Sequence, residues 1–134
     1  MFNTWAAIED HTFQLALVRA LETVFPDDPP TFMVSVPHGY AAPDLVVADV
    51  RPGGFEQVAI ETVTVQGHAP SVAELAAGCC GGTPLRAELE ARGELGEATA
   101  RVAREMEIEL GGAGPVVGTM AAHVVIATMG EAPL

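Results

Sequence analysis

Apolar residues recur at helical spacing near the start of the chain. Between Trp5 and Phe25 they lie three or four positions apart, at Ile8, Phe13, Leu15, Leu17, Val18, Leu21 and Val24. Thr4 can cap the start of a helix, and Pro26 within FPDDPP can end it because proline has no amide donor. The pattern predicts a helix over residues 5–25.

Three short β-branched segments follow this helix. They are TFMVSV at 31–36, DLVVADV at 44–50 and EQVAIETVTV at 56–65, each bounded by proline or glycine. The RPGG sequence between Val50 and Phe55 is typical of a tight turn. We therefore expect three strands, with the second and third joined as a hairpin.

The second half of the chain shows helix signals before a final strand. Ser71 and Glu74 have capping-box spacing, in which hydroxyl and carboxylate satisfy backbone donors reciprocally. GCCGG interrupts that helix, and Pro84 restarts one that runs toward Leu110, with a break expected near ARGELG at 91–96. AAHVVIAT at 121–128 reads as a buried strand.

The predicted element order is helix, three strands, helix and strand. A helix between two strands permits a parallel crossover, so the order predicts an α/β fold with a mixed sheet flanked by helices. A length of 134 residues fits one domain spanning residues 1–134.

The charge balance is strongly acidic. Eighteen acidic residues against six arginines, with no lysine, give a formal charge of -12. Such a surface repels phosphate groups at long range, which disfavours nucleic acid and anionic membranes as partners. A protein partner or a homo-oligomer is the remaining expectation.

The cysteines and the N-terminus bear on location. Cys79 and Cys80 are adjacent, and neighbouring cysteines rarely form an ordinary disulfide. The sequence MFNTWAAIED lacks the basic and apolar segments of a secretion signal, and no apolar run approaches a membrane span. We therefore expect a cytoplasmic protein.

Two acidic residues are the candidate site. Asp44 follows Pro43 at the start of the second predicted strand, and Glu61 lies in the middle of the third. Carboxylates on neighbouring hairpin strands can share Mg²⁺ or Mn²⁺, and the Thr62 carbonyl could add a ligand. The metal would activate water for phosphodiester hydrolysis.

PDLVVAD and VAIET, together with the element order, resemble the PD-(D/E)xK nuclease-like superfamily. The resemblance implies that Asp44 and Glu61 are catalytic metal ligands and that Glu9 on the first helix is an auxiliary acid. The family has a lysine two residues after the glutamate, which steadies the attacking water. Here that position is Val63, so we expect a degenerate nuclease without efficient activity.

Two non-enzymatic alternatives remain open. The element order also resembles small phage tail-terminator and neck-type proteins, which implies assembly into rings. The acidic composition alone suggests an inhibitor or immunity-type protein that meets a basic partner through its surface. His11, His38, His68 and His123 have no metal-motif spacing, and surface or hydrogen-bonded roles are expected for them.

Overall fold

The structure, a computed structural model, describes residues 1–131. These residues form three strands and six helices, with three helices between each strand and the next. In chain order they are β1 Phe2–Trp5, α1 Thr12–Val24, α2 Phe32–Ser35, α3 Pro43–Val50, β2 Phe55–Ala69, α4 Val72–Gly82, α5 Leu85–Glu90, α6 Leu95–Leu110 and β3 Val116–Met129. Short 3-10 turns at Ile8–Asp10 and Arg51–Gly53 precede α1 and β2.

The strands form one antiparallel sheet. Its order is β1-β3-β2, so the last strand of the chain lies between the other two. The predicted α/β class is confirmed, whereas the predicted element order and the parallel crossover are wrong. A connection through three helices returns the chain to pair antiparallel with β2.

The N-terminus is a strand, where the sequence predicted the start of a helix. Thr4 lies inside β1 opposite His123, and its buried hydroxyl has no hydrogen-bond partner among the described residues. The predicted cap at Thr4 is therefore wrong. Helix α1 begins later, at Thr12, after the 3-10 turn.

The predicted strand at 31–36 is wrong: Phe32–Ser35 form a short helix whose start is capped by a distant carboxylate. Glu88 of α5 accepts hydrogen bonds from the backbone amides of Thr31 and Phe32, at 3.3 and 3.0 Å. These two amides belong to the unsatisfied donors that every helix start exposes. Nothing in the local sequence reveals that Glu88 supplies the acceptor.

The predicted strand at 44–50 is helix α3. Pro43 occupies the first helical turn, where its missing amide costs nothing, and Asp44 follows at the positive end of the helix dipole. Val46 is fully buried on the inner side. The RPGG turn is present, but it joins a helix to β2, with Gly54 in the left-handed region at φ 89°.

The helix signals in the second half are confirmed. The Ser71 hydroxyl accepts a hydrogen bond from the Glu74 amide at 3.1 Å and caps α4. The break near residues 91–96 separates α5 from α6, and the Glu94 carboxylate caps α6. The strand predicted at 121–128 forms the centre of the longer β3.

The hydrophobic core lies among the helices. Leu17 and Leu21 of α1 pack with Leu85, Leu89 and Met106 of α5 and α6, and all five are essentially inaccessible to water. No helix in residues 1–131 combines the length and the apolar content that crossing a bilayer requires. The long sheet extends beside this core, and much of its surface stays exposed.

Candidate functional site

Asp44 and Glu61 do not lie on adjacent strands. Asp44 is an exposed residue in the first turn of α3, and Glu61 is an exposed residue of β2. The predicted shared site assumed that residues 44–50 form the first strand of a hairpin. That assumption is wrong, because these residues belong to α3. Among residues 1–131, histidine, cysteine and acidic side chains form no group of three or more able to hold a metal ion.

Glu61 and Thr62 project from opposite faces of the sheet, because successive side chains of a strand alternate. The Thr62 hydroxyl is 2.9 Å from Nδ1 of His123, whose Nε2 is 2.9 Å from the Ala41 carbonyl oxygen. Both nitrogens of His123 thus have partners, as expected for a structural histidine. Glu61 lies on the other face, in a row with Val124 and Asn3.

Of the other predicted site residues, Glu9 shares a cleft only with Thr62. It lines a cleft with Asp10 and Thr62, between the 3-10 turn and the sheet. Neither Asp44 nor Glu61 lines this cleft. The residues that the nuclease resemblance implies therefore do not all line this cleft, and no catalytic step is derived from them.

The open face of the sheet carries an apolar groove of about 390 Å³. Trp5, Ala122 and Val63 form one row across its three strands, and Val65 and Met120 form the next row along β2 and β3. Trp5, Val63 and Val65 are 42, 41 and 53% exposed. Large apolar side chains grouped in this way commonly mark an interaction surface.

The outer edge of β2 is free along the whole strand. Only one of its edges pairs with β3, and in residues 1–131 the strand has no other backbone partner. Of the eighteen acidic and six basic residues, only Glu56 and Glu61 lie in the strands. The acidic surface therefore belongs to the helices and loops.

A pair of buried histidines is a feature that the sequence patterns missed. The rings of His11 and His38 meet edge to face with centroids 4.4 Å apart, and Trp5 lies against His11 at 5.5 Å. Burial lowers the pKa of His11 and the neighbouring His38 lowers it further, against weaker opposing effects of the Ala121 carbonyl and Asp10. No sequence spacing signals this pair, because the residues come from separate segments.

The two cysteines are free thiols at the end of α4. Burial raises the pKa of Cys79, and burial with the adjacent thiol raises that of Cys80 to about 11. Thiols in this state are poor nucleophiles at neutral pH. A packing role follows from their position.

Comparison of the chain with models of known protein families gives no match, and comparison with curated protein sequences gives none either.

Proposed function

We propose that the protein is a non-enzymatic assembly protein whose copies join through the free edge of β2. The observation that carries this proposal is a fifteen-residue edge strand whose outer backbone groups have no partner in residues 1–131. Such an edge is a template for another strand, and proteins usually shorten, charge or cover it. A cytoplasmic location belongs to the same proposal, since free thiols suit a reducing compartment.

The side chains of β2 favour contact with protein. Val63 and Val65 are exposed beside the apolar groove, and the strand contains no arginine or lysine. Burying this surface would remove apolar area from water at little electrostatic cost. The strong negative charge elsewhere would limit contact between the remaining surfaces of two copies.

The partner that best fits the free edge of β2 is a second copy of the chain. Thr62 is the midpoint of β2, so two copies related by a two-fold axis at Thr62 can pair over the regular segment 57–67, which excludes the irregularity between Phe55 and Gln57. In this antiparallel register Glu61 lies opposite Val63 of the second copy. Glu56 approaches the end that carries His68, so no two carboxylates face each other directly.

Other registers are less favourable. A two-fold axis at Glu61 would place identical carboxylates directly opposite each other, which destabilises a strand pair. Moving the axis to Val63 brings Pro70 into the pairing, and proline cannot donate a ladder hydrogen bond. The register centred on Thr62 avoids both problems.

A cross-linking experiment tests the proposal. In a chain carrying Cys79→Ala and Cys80→Ala, Thr62→Cys should form a disulfide-linked dimer under mild oxidation. Opposed residues have Cα atoms about 4.5–5.5 Å apart, within disulfide range. Thr64→Cys is the matched control, because its two copies would be about 13 Å apart along the paired strands.

Light scattering of the unmodified chain supplies the second measurement. The proposal expects a dimer or a larger assembly at micromolar concentration. A monomer at high concentration would overturn it, and so would equal cross-linking at positions 62 and 64. An oligomer in which Thr62→Cys never cross-links would place the contact elsewhere and reject the β2 edge.

Self-association also agrees with the assembly role that the resemblance to phage tail-terminator and neck-type proteins implies. A weak Mg²⁺ or Mn²⁺ site at Asp44 and Glu61 and an inhibitor role stay predictions from the sequence. Three of the six arginines, Arg19, Arg86 and Arg92, form ion pairs with carboxylates of the same chain.

A further inference from the structure

A cavity of about 280 Å³ lies where the end of β1, the start of α1 and the segment after α2 meet. Its lining includes two imidazoles and two thioethers, contributed by His11, His38, Met33 and Met120. His11 and His38 are 1% and 9% exposed. No carboxylate or guanidinium lines this cavity.

Hydrogen bonding leaves one nitrogen of His38 available. Its Nδ1 lies 2.9 Å from the Ala6 carbonyl oxygen, and an oxygen with no proton can only accept. Nδ1 therefore carries the hydrogen, and Nε2 of the neutral ring keeps a lone pair. A histidine that binds a metal typically donates its other N–H to such a carbonyl.

His11 lacks the partners that a buried imidazole normally has. Neither of its ring nitrogens has a hydrogen bond of good geometry in residues 1–131. The Ala121 carbonyl is the nearest acceptor, and it offsets only part of the effect of burial on the ring. The side-chain oxygen of Gln14, which also lines the cavity, is equally without a partner. Buried polar atoms are satisfied in most folded proteins, so these orphaned groups point to a missing ligand.

We propose that this cavity is a binding site for Cu(I), held by the imidazoles of His11 and His38 with a thioether from Met33 or Met120. The ring centroids are 4.4 Å apart in edge-to-face contact, so the two rings must separate and rotate to bring a nitrogen of each about 2 Å from one ion. The site is separate from the edge of β2, and its occupation does not depend on self-association.

The donor set selects the ion. Thioether sulfur and imidazole nitrogen are soft or borderline ligands that suit Cu(I), whereas Mg²⁺ and Ca²⁺ require oxygen ligands. A monovalent ion also costs less to desolvate in an apolar cavity than a divalent one.

Anaerobic titration of the metal-free chain with Cu(I), buffered by the competing chelator bicinchoninate, tests the site. We expect one ion per chain and quenching of the fluorescence of Trp5, the single tryptophan, which also lines the cavity. His11→Gln and His38→Gln should each weaken binding at least about ten-fold, since even outer partners of metal ligands act on that scale.

Matched controls separate this site from other copper ligands. His68→Gln removes an exposed histidine outside the cavity, and Cys79→Ala with Cys80→Ala removes the thiols. Both variants should bind as the unmodified chain does. Circular dichroism establishes that each variant is folded.

Three results would overturn the proposal. They are absence of one-to-one binding, binding that the cysteine variant loses, and binding that both histidine variants retain. If His11→Gln fails to fold, His38→Gln alone decides the question, because His38 donates only one hydrogen bond that glutamine can replace.

Discussion

Phe13 packs its ring against the backbone of Gly118, so closely that a Cβ at Gly118 would lie 2.8 Å from Cε1 of the ring and 2.9 Å from Cβ of Thr12. The Thr12 hydroxyl also accepts a hydrogen bond from the Thr119 amide at 2.9 Å. These contacts join the start of α1 to β3. They set the orientation of the helical core relative to the sheet.

Gly118→Ala is therefore expected to destabilise the protein by about 1–3 kcal/mol, the usual cost of overpacking. Gly78→Ala is the matched control, because Gly78 lies inside α4 and an added Cβ would have only the backbone of its own helix within 4 Å. It should stabilise by about 0.5–1 kcal/mol through helix propensity. Urea unfolding measures both changes, and equal effects of the two variants would contradict this packing.

Glu94 makes stability depend on pH. Its carboxylate accepts hydrogen bonds from the Gly96 and Glu97 amides at 2.9 and 2.7 Å, and these bonds lower its pKa in the folded protein. The folded state thus prefers the ionised form, so the stabilisation is complete above the unfolded pKa near 4.5 and is lost as pH falls through the folded value.

We expect Glu94→Gln to lower Tm at pH 7 and to lose that difference as pH falls toward 3. Glu22→Gln removes the same charge from the exposed side of α1, where no hydrogen bond involves the side chain in residues 1–131, and serves as the control. Thermal unfolding followed by circular dichroism gives both profiles. A constant Tm difference between the chain and Glu94→Gln from pH 7 to 3 would argue against the cap.

Mn²⁺ binding tests the cation site predicted at Asp44 and Glu61. If both carboxylates bind one Mn²⁺, Asp44→Asn and Glu61→Gln should weaken binding to a similar degree, because each removes one of two acidic ligands. Electron paramagnetic resonance of free Mn²⁺ reports the bound fraction, and Glu22→Gln is the charge-matched control. Loss in only one variant, or in neither, would contradict a shared ion.

Local signals predicted part of the fold well. Ser71 at the start of α4, the turn at RPGG and the apolar segment of β3 lie where the sequence placed them. Each depends on residues within one turn or one strand, so the physical cause is visible locally. Pro43 and Asp44 were also a usable helix-start signal, but their β-branched neighbours favoured the strand interpretation.

Local sequence patterns could not predict the candidate sites. His11 and His38 meet through the packing of β1, α1 and the segment after α2, and no spacing rule joins them. The free edge of β2 exists because β3 pairs on its other side, which alternation along β2 alone does not indicate. Convergence of Asp44 and Glu61 was inferred from a hairpin that the chain does not form.

The sequence by itself determined the α/β class, the strong negative charge and the Ser71 cap of α4, because these follow from composition and from neighbours within a few residues. Only the tertiary structure decided that Glu88 caps the helix at residues 32–35, that β3 occupies the centre of the sheet and that two imidazoles share a cavity. Those outcomes depend on contacts between residues far apart in the chain. Their free energy comes from packing and from the need to satisfy buried polar groups, which local patterns do not record.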